Sequence, residues 1–353
     1  MKIGLIIYGS LDTMSGGYLY DRKLVQSLRR RGDQVEIVSL PSRNYAAHLT
    51  DNFHFRLPRG FDLIIEDELN HPSVLTANRQ KHSYPIVSLV HNLHSLEPRP
   101  AWQNNLYRVV ERSYLNSVDG FIFNSNTTHS AVQALIGEQK PFIIANPPTD
   151  RFGSHLNENQ IRSRVKEPSL LRLLFLGNVI PLKGLRVLLE ALRYSTFDYR
   201  LDVVGSLNVD PNYAHQMQEQ VINYELSSKV FFHGILDNEP LIERLEYARV
   251  MVIPSSYEGF GIAYLEGMGF GLPAVATTSG AASEFITNCE NGYLIPPENS
   301  SMLAERLTTL ANDRELLARM SINALKRFQQ QPTWEQTVDQ IQDFLLQIIN
   351  SKQ

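Results

Sequence analysis

The sequence predicts an α/β protein made of two domains with the same architecture. Short apolar runs rich in β-branched residues alternate with longer helical stretches, the pattern of parallel sheets built from strand–helix–strand units. This pattern starts afresh at Leu171. The chain has 353 residues, more than the ~250–300 that a single hydrophobic core organises. Two parallel-sheet domains are therefore expected.

The strand candidates are short and are separated mostly by helix-length segments. Those before the restart are KIGLII (2–7), QVEIVSL (34–40), FDLIIE (61–66), PIVSLVH (85–91), DGFIFN (119–124) and PFIIAN (141–146). Those after it are LRLLFLG (171–177), YRLDVVG (199–205), KVFFHG (229–234), RVMVIP (249–254) and PAVATT (273–278).

A polar segment separates the two sets of strands. Residues 146–169 carry three prolines and lack strand character, so we place a linker at 153–169, between domains at 1–152 and 170–331. After Pro332, residues 332–353 resume with apolar residues at helical spacing. This last helix, opened by Trp334, packs either on the second domain or back against the first.

Composition excludes several classes of protein. With 43% hydrophobic residues, 20% charged residues and a formal net charge of -4, the chain does not fit a nucleic-acid-binding protein. The only cysteine, Cys289, cannot form an intrachain disulfide, and we expect it to be a small buried residue. The opening apolar run is too short for a signal peptide, and no apolar run is long enough to span a membrane. We expect a cytoplasmic protein.

The most informative stretch is EGFGIAYLEGMGFGLP, residues 258–273. A buried strand precedes it and a helix follows, so its first residues form a strand-to-helix turn whose free N–H groups suit an anion such as phosphate. Glu258 and Glu266 are ~12 Å apart along an ideal helix, so they can bind hydroxyls at opposite ends of a nucleotide sugar. A glycine-rich turn before an ordinary helix is the alternative. The turn residues are Glu258, Gly259, Phe260 and Gly261.

Two other turns have the composition of phosphate-binding sites. Lys183 follows a strand and lies at a helix start, where it can reach a diphosphate or simply be solvated. Gly16 and Gly17 separate the first strand from the first helix and form either an amide-rich site or a plain tight turn. The spacing of these glycines is not GxGxxG, which argues against a dinucleotide-dependent dehydrogenase.

Together these motifs resemble the family-four glycosyltransferases, retaining enzymes of the GT-B fold, in which two Rossmann-like domains face each other across a cleft. The most specific part is the pair Glu258 and Glu266 with the GMGFGLPAVAT that follows. Lys183-Gly184, Gly16-Gly17 and the final helix led by Trp334 match with decreasing specificity. The resemblance covers nearly the whole chain and implies that the final helix crosses back to the first domain.

The resemblance also implies roles for single residues. Glu258 would bind hydroxyls of the transferred sugar and Glu266 the ribose, while Lys183 would bind the diphosphate. His91, at a strand end, would lie near O6 of the sugar and the reacting bond; a purely structural histidine is the alternative. The donor-binding positions are completed by Gly16, Gly17, Asn178, Ile235, Leu236, Gly259, Phe260 and Gly261, with the base near Ile235 and Leu236.

The sequence departs from the family pattern at two places. Asn178 stands where the family commonly has Arg, so one diphosphate cation is absent and the phosphates depend more on Lys183. The segment ANPPTD replaces the common Asn-Gly-Val-Asp, and only Asn146 keeps a candidate role on the acceptor or hinge side.

We expect no cofactor and no metal. In a retaining transfer the leaving diphosphate can itself deprotonate the incoming hydroxyl, so a protein base is unnecessary. The sequence shows no aspartate cluster with the spacing of a divalent-metal site. The cluster of Glu66, Asp67 and Glu68 ends a strand, and we expect a solvated acidic turn there rather than an acceptor contact.

The resemblance favours UDP-glucose as donor and a sugar or lipid-linked acceptor, in polysaccharide or glycolipid synthesis. Arg29, Arg30 and Arg31 either make a weak peripheral contact with an anionic membrane at its cytoplasmic face or interact with the helix dipole. Two other functions stay open: a nucleotide-sugar epimerase or hydrolase on the same fold, and a sugar-nucleotide-binding subunit without turnover.

Overall fold

Two six-stranded parallel sheets organise the structure, a computed structural model that describes residues 1–13, 15–137, 139–148, 151–152, 156–166 and 170–352. The chain divides into two units, one of Met1–Pro148 with Pro332–Gln353 and one of Thr149–Gln331. Each unit contains one sheet. The predicted α/β class with two parallel-sheet domains is confirmed.

The sheet of the first unit has the strand order β2-β1-β3-β4-β5-β6. Its strands are β1 (Lys2–Tyr8), β2 (Gln34–Leu40), β3 (Leu63–Asp67), β4 (Ile86–Val90), β5 (Gly120–Phe123) and β6 (Phe142–Ile144). The helices between them are α1 (Gly16–Arg30), α2 (Tyr45–Asp51), α3 (His71–Asn78), α4 (Ala101–Leu115) and α5 (Asn126–Ile136). The three central strands β3, β4 and β5 are buried along their whole length, as expected for strands covered on both faces.

The sheet of the second unit has the order β12-β11-β10-β7-β8-β9. Its strands are β7 (Leu171–Leu176), β8 (Tyr199–Val204), β9 (Val230–Gly234), β10 (Val250–Val252), β11 (Ala274–Thr277) and β12 (Gly292–Ile295). Its helices are α6 (Glu158–Lys166), α7 (Leu185–Leu192), α8 (Pro211–Asn223), α9 (Asn238–Tyr247), α10 (Ile262–Gly269), α11 (Ser300–Asn312) and α12 (Arg314–Gln329). The four-residue strand β12 was not among the predicted strands.

Helix α6 lies inside the segment where the sequence predicts a linker. Ile161 and Val165 are fully buried in the core of the second unit, and the division between the units falls between Pro148 and Thr149. Because only these two apolar residues mark the buried side of a polar helix, the segment lacks a clear helical pattern. Residues 153–155 and 167–169 of the predicted linker lie outside the described residues.

The final helix, α13 (Trp334–Lys352), belongs to the first unit. Val338 and Ile341 are fully buried in the core that it shares with α1 and the sheet. The Trp334 ring packs edge-on against Tyr20 of α1, with 5.3 Å between ring centroids, and Arg31 donates to the Glu335 carbonyl at 3.0 Å. Of the two placements open from the sequence, the structure has the one in which the helix returns to the first domain.

The expectation of a buried Cys289 is wrong. Cys289 is exposed and adopts a positive φ of 69° in the turn that precedes β12, where its N–H donates to the Gly292 carbonyl at 2.9 Å. Residues 287–290 of this turn are all exposed, so the location of the turn, which the residue type does not reveal, leaves the thiol outside the core. Within the described residues, no helix is both long enough and apolar enough to cross a membrane.

Candidate functional site

The loop between β10 and α10 carries Glu258 and is held against the loop after β11. The Ala281 N–H donates to the Glu258 carbonyl at 2.9 Å. Gly280 has a φ of 90°, and a Cβ at this position would lie 2.1 Å from the Glu258 carbonyl oxygen. Only glycine satisfies both the conformation and the close approach. The backbone at Glu258 is therefore fixed from outside its own loop.

Lys183 and Glu258, predicted to bind the diphosphate and the sugar, contact each other. Lys183 Nζ lies 2.7 Å from Glu258 Oε2, and Ser255 Oγ donates to the same oxygen at 3.2 Å. Lys183 ends a short 3₁₀ helix after β7. The Ser256 N–H donates to the Leu182 carbonyl at 2.9 Å, which joins this loop to the one that carries Glu258. The hydrogen bond between the loops keeps both charged groups at one place on the sheet edge.

The start of α10 provides backbone donors beside this ion pair. Gly261 caps the helix with a φ of 101° and offers no side-chain acceptor to the first turn. The Tyr264 N–H donates to the Gly261 carbonyl at 3.0 Å, and the N–H groups that precede it are of the kind that binds an anion at a helix start. Phe260 is buried, and its ring centroid lies 5.5 Å from that of Phe285. The turn predicted from the sequence is thus anchored by an aromatic contact and ends in helix N–H groups.

Glu266 faces a different partner. Arg151 Nη1 lies 3.2 Å from Glu266 Oε1, and Arg151 Nη2 donates to Asn238 Oδ1 at 2.7 Å. Burial raises the pKa of the Glu266 carboxyl, and the Arg151 guanidinium opposes this rise. Asn238 opens α9 directly after the loop that holds Ile235 and Leu236. Arg151 therefore connects the predicted ribose carboxylate to the loop predicted to contact the base.

The side chain of Asn178 makes a hydrogen bond to a neighbouring loop. Its Oδ1 accepts a hydrogen bond from the Ser206 N–H at 3.3 Å, which ties the loop after β7 to the loop after β8. A side chain at this position thus lies at the same sheet edge as Lys183.

His91 occupies the carboxyl end of β4 in the first unit. Its Nε2 lies 2.9 Å from Oδ1 of the fully buried Asp21. The main chain of His91 is held on both sides, because its N–H donates to Glu68 Oε2 at 2.9 Å and its carbonyl accepts from Asn124 Nδ2 at 2.8 Å. The sequence analysis missed Asp21, which lies 70 residues from His91.

The glycine turn before α1 packs against the same histidine. A Cβ on Gly17 would lie 3.2 Å from His91 Cδ2, so a larger residue would push the imidazole aside. Burial tends to lower the pKa of His91, but the carboxylates of Asp21 and Asp67 outweigh it and raise the pKa above its usual range. Gly16, Gly17 and His91 form one group in the first unit, and the other predicted positions lie in the second.

The expectation of a solvated acidic turn at Glu66, Asp67 and Glu68 is wrong, because all three are buried. They end the central strand β3, where neighbouring strands and helices cover the backbone. Burial raises the pKa of Glu66 to about 7, against a hydrogen bond from Asn78. Burial also raises the pKa of Asp67 to about 7, assisted by the charge of Asp21. These buried carboxyls lie beneath the edge of the sheet that carries His91.

Asp21, Asp67 and His91 each place one potential metal ligand within 4.8 Å of the others, a grouping that the sequence spacing did not indicate. Asp21 already pairs with His91, and Asp67 Oδ1 accepts from the Leu69 N–H at 2.9 Å. We interpret the group as a hydrogen-bonded cluster that orients His91. Metal independence stays a prediction.

Comparison with known proteins identifies related sequences. Residues 157–327 match the family model described as glycosyl transferases group 1. The O-antigen chain mannosyltransferase C of Escherichia coli is 25% identical over 250 residues, 70% of this chain and 66% of the relative. The D-rhamnosyltransferase WbpZ of Pseudomonas aeruginosa is 28% identical over 284 residues, 79% of this chain and 68% of the relative.

An uncharacterized glycosyltransferase of Methanocaldococcus jannaschii is 28% identical over 168 residues, 47% of this chain and 45% of the relative. The chain thus spans about half to two thirds of the length of these curated relatives.

Solved structures share the fold over the whole chain. The sucrose-phosphate synthase of Thermosynechococcus elongatus aligns with a TM-score of 0.82 and 20% identity, covering 99% of both chains. The Anabaena protein HepE, solved in complex with UDP and glucose, aligns with a TM-score of 0.77 and 19% identity, covering 98% of this chain and 100% of HepE. The fold is GT-B, as the sequence resemblance implied.

Proposed function

We propose that the chain is a retaining glycosyltransferase of the glycosyl transferases group 1 family, whose model matches residues 157–327, and that it transfers a hexose from a nucleotide-diphosphate sugar to a hydroxyl group. The observation that carries the proposal is the arrangement of Glu258, Lys183 and Glu266 around α10. The ion pair of Lys183 and Glu258 lies near the start of this helix, and Glu266 lies one turn further along it. This arrangement supports contacts to both ends of a donor and to its charged centre.

At the nucleoside end, Glu266 would accept hydrogen bonds from the ribose hydroxyls. The carboxyl is buried and already held by Arg151, so a ribose would join an oriented acceptor. The base would lie along the loop of Ile235 and Leu236, held by backbone groups. Ile235 is exposed and would be covered by a base stacked there.

At the centre, Lys183 and the first turn of α10 would bind the diphosphate. The ammonium is kept in the site by Glu258, and the helix N-terminus adds partial positive charge. When a donor binds, the phosphates take up the charge of Lys183, and Glu258 is left to accept hydrogen bonds from hydroxyls of the sugar. In the structure, Lys183 and Glu258 therefore make with each other the contacts that each would make with the donor.

The chemical step needs no protein base. The bond between the anomeric carbon and the phosphate oxygen breaks, and the acceptor oxygen bonds to that carbon on the same face. Its proton passes to the departing phosphate oxygen. Lys183 and the helix N–H groups stabilise the charge that develops on the diphosphate. We assign His91 to the O6 side of the sugar and Asp21 to the orientation of the imidazole.

We propose UDP-glucose as the first donor to test, with synthesis of a polysaccharide or glycolipid as the setting. One supporting finding is that HepE was solved with UDP-glucose and aligns with a TM-score of 0.77. The names of the bacterial relatives refer to mannosyl and rhamnosyl transfer in O-antigen and lipopolysaccharide, so GDP-mannose and other hexose donors belong in the same panel.

The test begins with thermal-shift measurements across UDP, GDP and ADP and their sugars. We expect stabilisation by one nucleoside diphosphate and its sugar. Product analysis with and without a polyprenyl-linked or soluble glycan acceptor follows, in EDTA and in Mg²⁺. Transfer in both buffers is the proposed result. Free sugar without acceptor would indicate a hydrolase, an altered donor sugar an epimerase, and binding without any product a subunit without turnover.

A further inference from the structure

Helix α4 of the first unit presents an apolar stripe to the outside. Trp102, Leu106 and Val109 are 71%, 51% and 68% exposed and follow one another at helical spacing, so they lie on one face. The opposite face carries Tyr107 and Tyr114, which are buried against the unit. Solvent-facing positions of a docked helix are normally polar, and a stripe of a tryptophan and two aliphatic residues is unusual there.

Basic side chains accompany the stripe on α4. Arg108 and Arg112 are exposed on the same helix, and Arg79 reaches its last turns by donating to Ser113 Oγ at 2.8 Å. The one acidic residue of α4, Glu111, is buried and points inward, where its Oε1 accepts from the Ser95 N–H at 3.1 Å. The outer face of α4 is therefore apolar and cationic.

We propose that this face of α4 docks on an anionic phospholipid surface. Tryptophan and aliphatic side chains insert at the boundary of headgroups and acyl chains, and neighbouring arginines bind lipid phosphates. Arg108 and Arg112 complement a negatively charged surface, and each adds about fivefold to the affinity. The stripe is three residues long, so the predicted contact is peripheral and reversible.

This surface replaces the membrane contact that the sequence suggested for Arg29, Arg30 and Arg31. Arg29 donates to the Val35 carbonyl at 2.6 Å and Arg30 to Ser27 Oγ at 2.9 Å. Arg31 donates to the side chain of Asp339 and to the main chain of α13. The three guanidinium groups are thus engaged within the unit.

The position of α4 links the surface to the candidate site. Strand β4 ends at Val90, His91 follows, and α4 begins at Ala101. Trp102 therefore lies in the first helical turn, at the carboxyl edge of the sheet that also holds His91. If the proposed transfer is correct, docking through α4 would bring this edge to the membrane surface, where a lipid-linked acceptor would be found. Only this consequence depends on the proposed function.

The test is flotation of the full chain with vesicles of phosphatidylcholine, alone or with about one third phosphatidylglycerol. We expect binding to the anionic vesicles only, weakened by salt. The triple change Trp102→Ser, Leu106→Ser and Val109→Ser should lower the affinity about tenfold or more. Arg108→Ala with Arg112→Ala should lower it about fivefold per arginine and reduce the salt dependence.

Matched controls come from exposed residues of the second unit. Tyr194→Ser, Val209→Ser and Ile222→Ser remove as many exposed apolar side chains, and Arg162→Ala with Arg319→Ala removes as many exposed charges. Both controls should bind vesicles as the parent does. Unchanged melting temperatures show that the α4 variants fold.

Tryptophan fluorescence gives a second readout. Anionic vesicles should shift the emission to the blue in the parent but not in Trp102→Phe, because the other tryptophan, Trp334, is buried. Equal binding by parent and α4 variants would overturn the proposal. So would an absence of vesicle binding together with a dimer that the triple variant dissociates, which would assign the face to a second copy. Vesicle binding is measured without nucleotide, so its failure leaves the transfer proposal untouched.

Discussion

Lys183 Nζ lies 2.7 Å from Glu258 Oε2, although the two residues are 75 positions apart in the sequence. Both side chains are partly exposed, so water weakens their attraction and the ion pair contributes little to folding stability. The ion pair joins two loops near the start of α10. Because it stabilises the fold little, breaking it to bind a ligand costs little free energy. A donor's diphosphate and sugar hydroxyls can replace the bond between the two side chains with their own contacts to each.

Lys183→Ala should remove most of the thermal stabilisation that a nucleoside diphosphate gives to the parent. A charge-assisted hydrogen bond of ~1.5–3 kcal/mol corresponds to an affinity loss of roughly tenfold to a hundredfold. Calorimetric titration measures it, with the exposed Lys326→Ala as control. Equal diphosphate affinity in the parent and in Lys183→Ala would remove this lysine from the site.

Asn178→Arg should tighten diphosphate binding. The side chain of Asn178 is at the sheet edge that carries Lys183 and accepts a hydrogen bond from the Ser206 N–H, so a guanidinium there adds a cation close to the proposed phosphates. The same titration measures the gain. A loss of affinity, with an unchanged melting temperature, would mean that this side chain does not face the phosphates.

Asp21→Asn should lower transfer without weakening the nucleoside diphosphate. Asp21 acts through His91, 2.9 Å away, and both lie in the first unit, whereas Lys183 and Glu266, proposed to bind the diphosphate and the ribose of UDP, lie in the second. Because the carboxylate raises the pKa of His91, the limb of the pH–kcat profile set by His91 should move to lower pH. An unmoved limb, or UDP affinity falling in step with kcat, contradicts the positioning role.

Glu66→Gln should stabilise the protein at alkaline pH. Burial raises the pKa of this carboxyl from 4.5 to about 7, so the folded state binds the proton more tightly than the unfolded state, and the free energy of unfolding falls as pH rises between these values. The amide has no charge to bury. We expect a gain on the order of 2–3 kcal/mol at pH 8 and little difference at pH 4.

Denaturant unfolding of the parent and of Glu66→Gln at the two pH values measures this difference. The exposed Glu305→Gln is the control and should leave the pH dependence unchanged. A gain of the same size at both pH values would show that the effect is packing and not ionisation.

The architecture was readable from the sequence because it depends on local patterns. Central strands such as β3 and β4 are mostly apolar, with Ser88 the one polar residue inside β4, and the glycine-rich turns mark where helices begin. The four-residue β12 and the polar α6 were missed because few side chains in each carry the signal. Likewise, Cys289 lies in an exposed turn, and its residue type does not indicate this location.

The site was readable only in part. Glu258, Glu266 and Lys183 stand in motifs, so their residue types and spacing indicate them. Asp21 and Arg151 do not, because each meets its partner only through the fold, at separations of 70 and 115 residues. Similarly, nothing local in the acidic cluster after β3 shows that neighbouring strands bury it.

The division of labour between Glu258 and Glu266 is the central claim, and calorimetric titration of two alanine variants with UDP and UDP-glucose tests it most directly. Glu266→Ala should weaken both ligands alike, by roughly tenfold to a hundredfold, because both contain the ribose. Glu258→Ala should weaken UDP-glucose by a similar factor and leave UDP as tight as in the parent or tighter, since Lys183 is then released from its ion pair. Equal losses of both ligands in both variants, or no loss in either, would contradict the account.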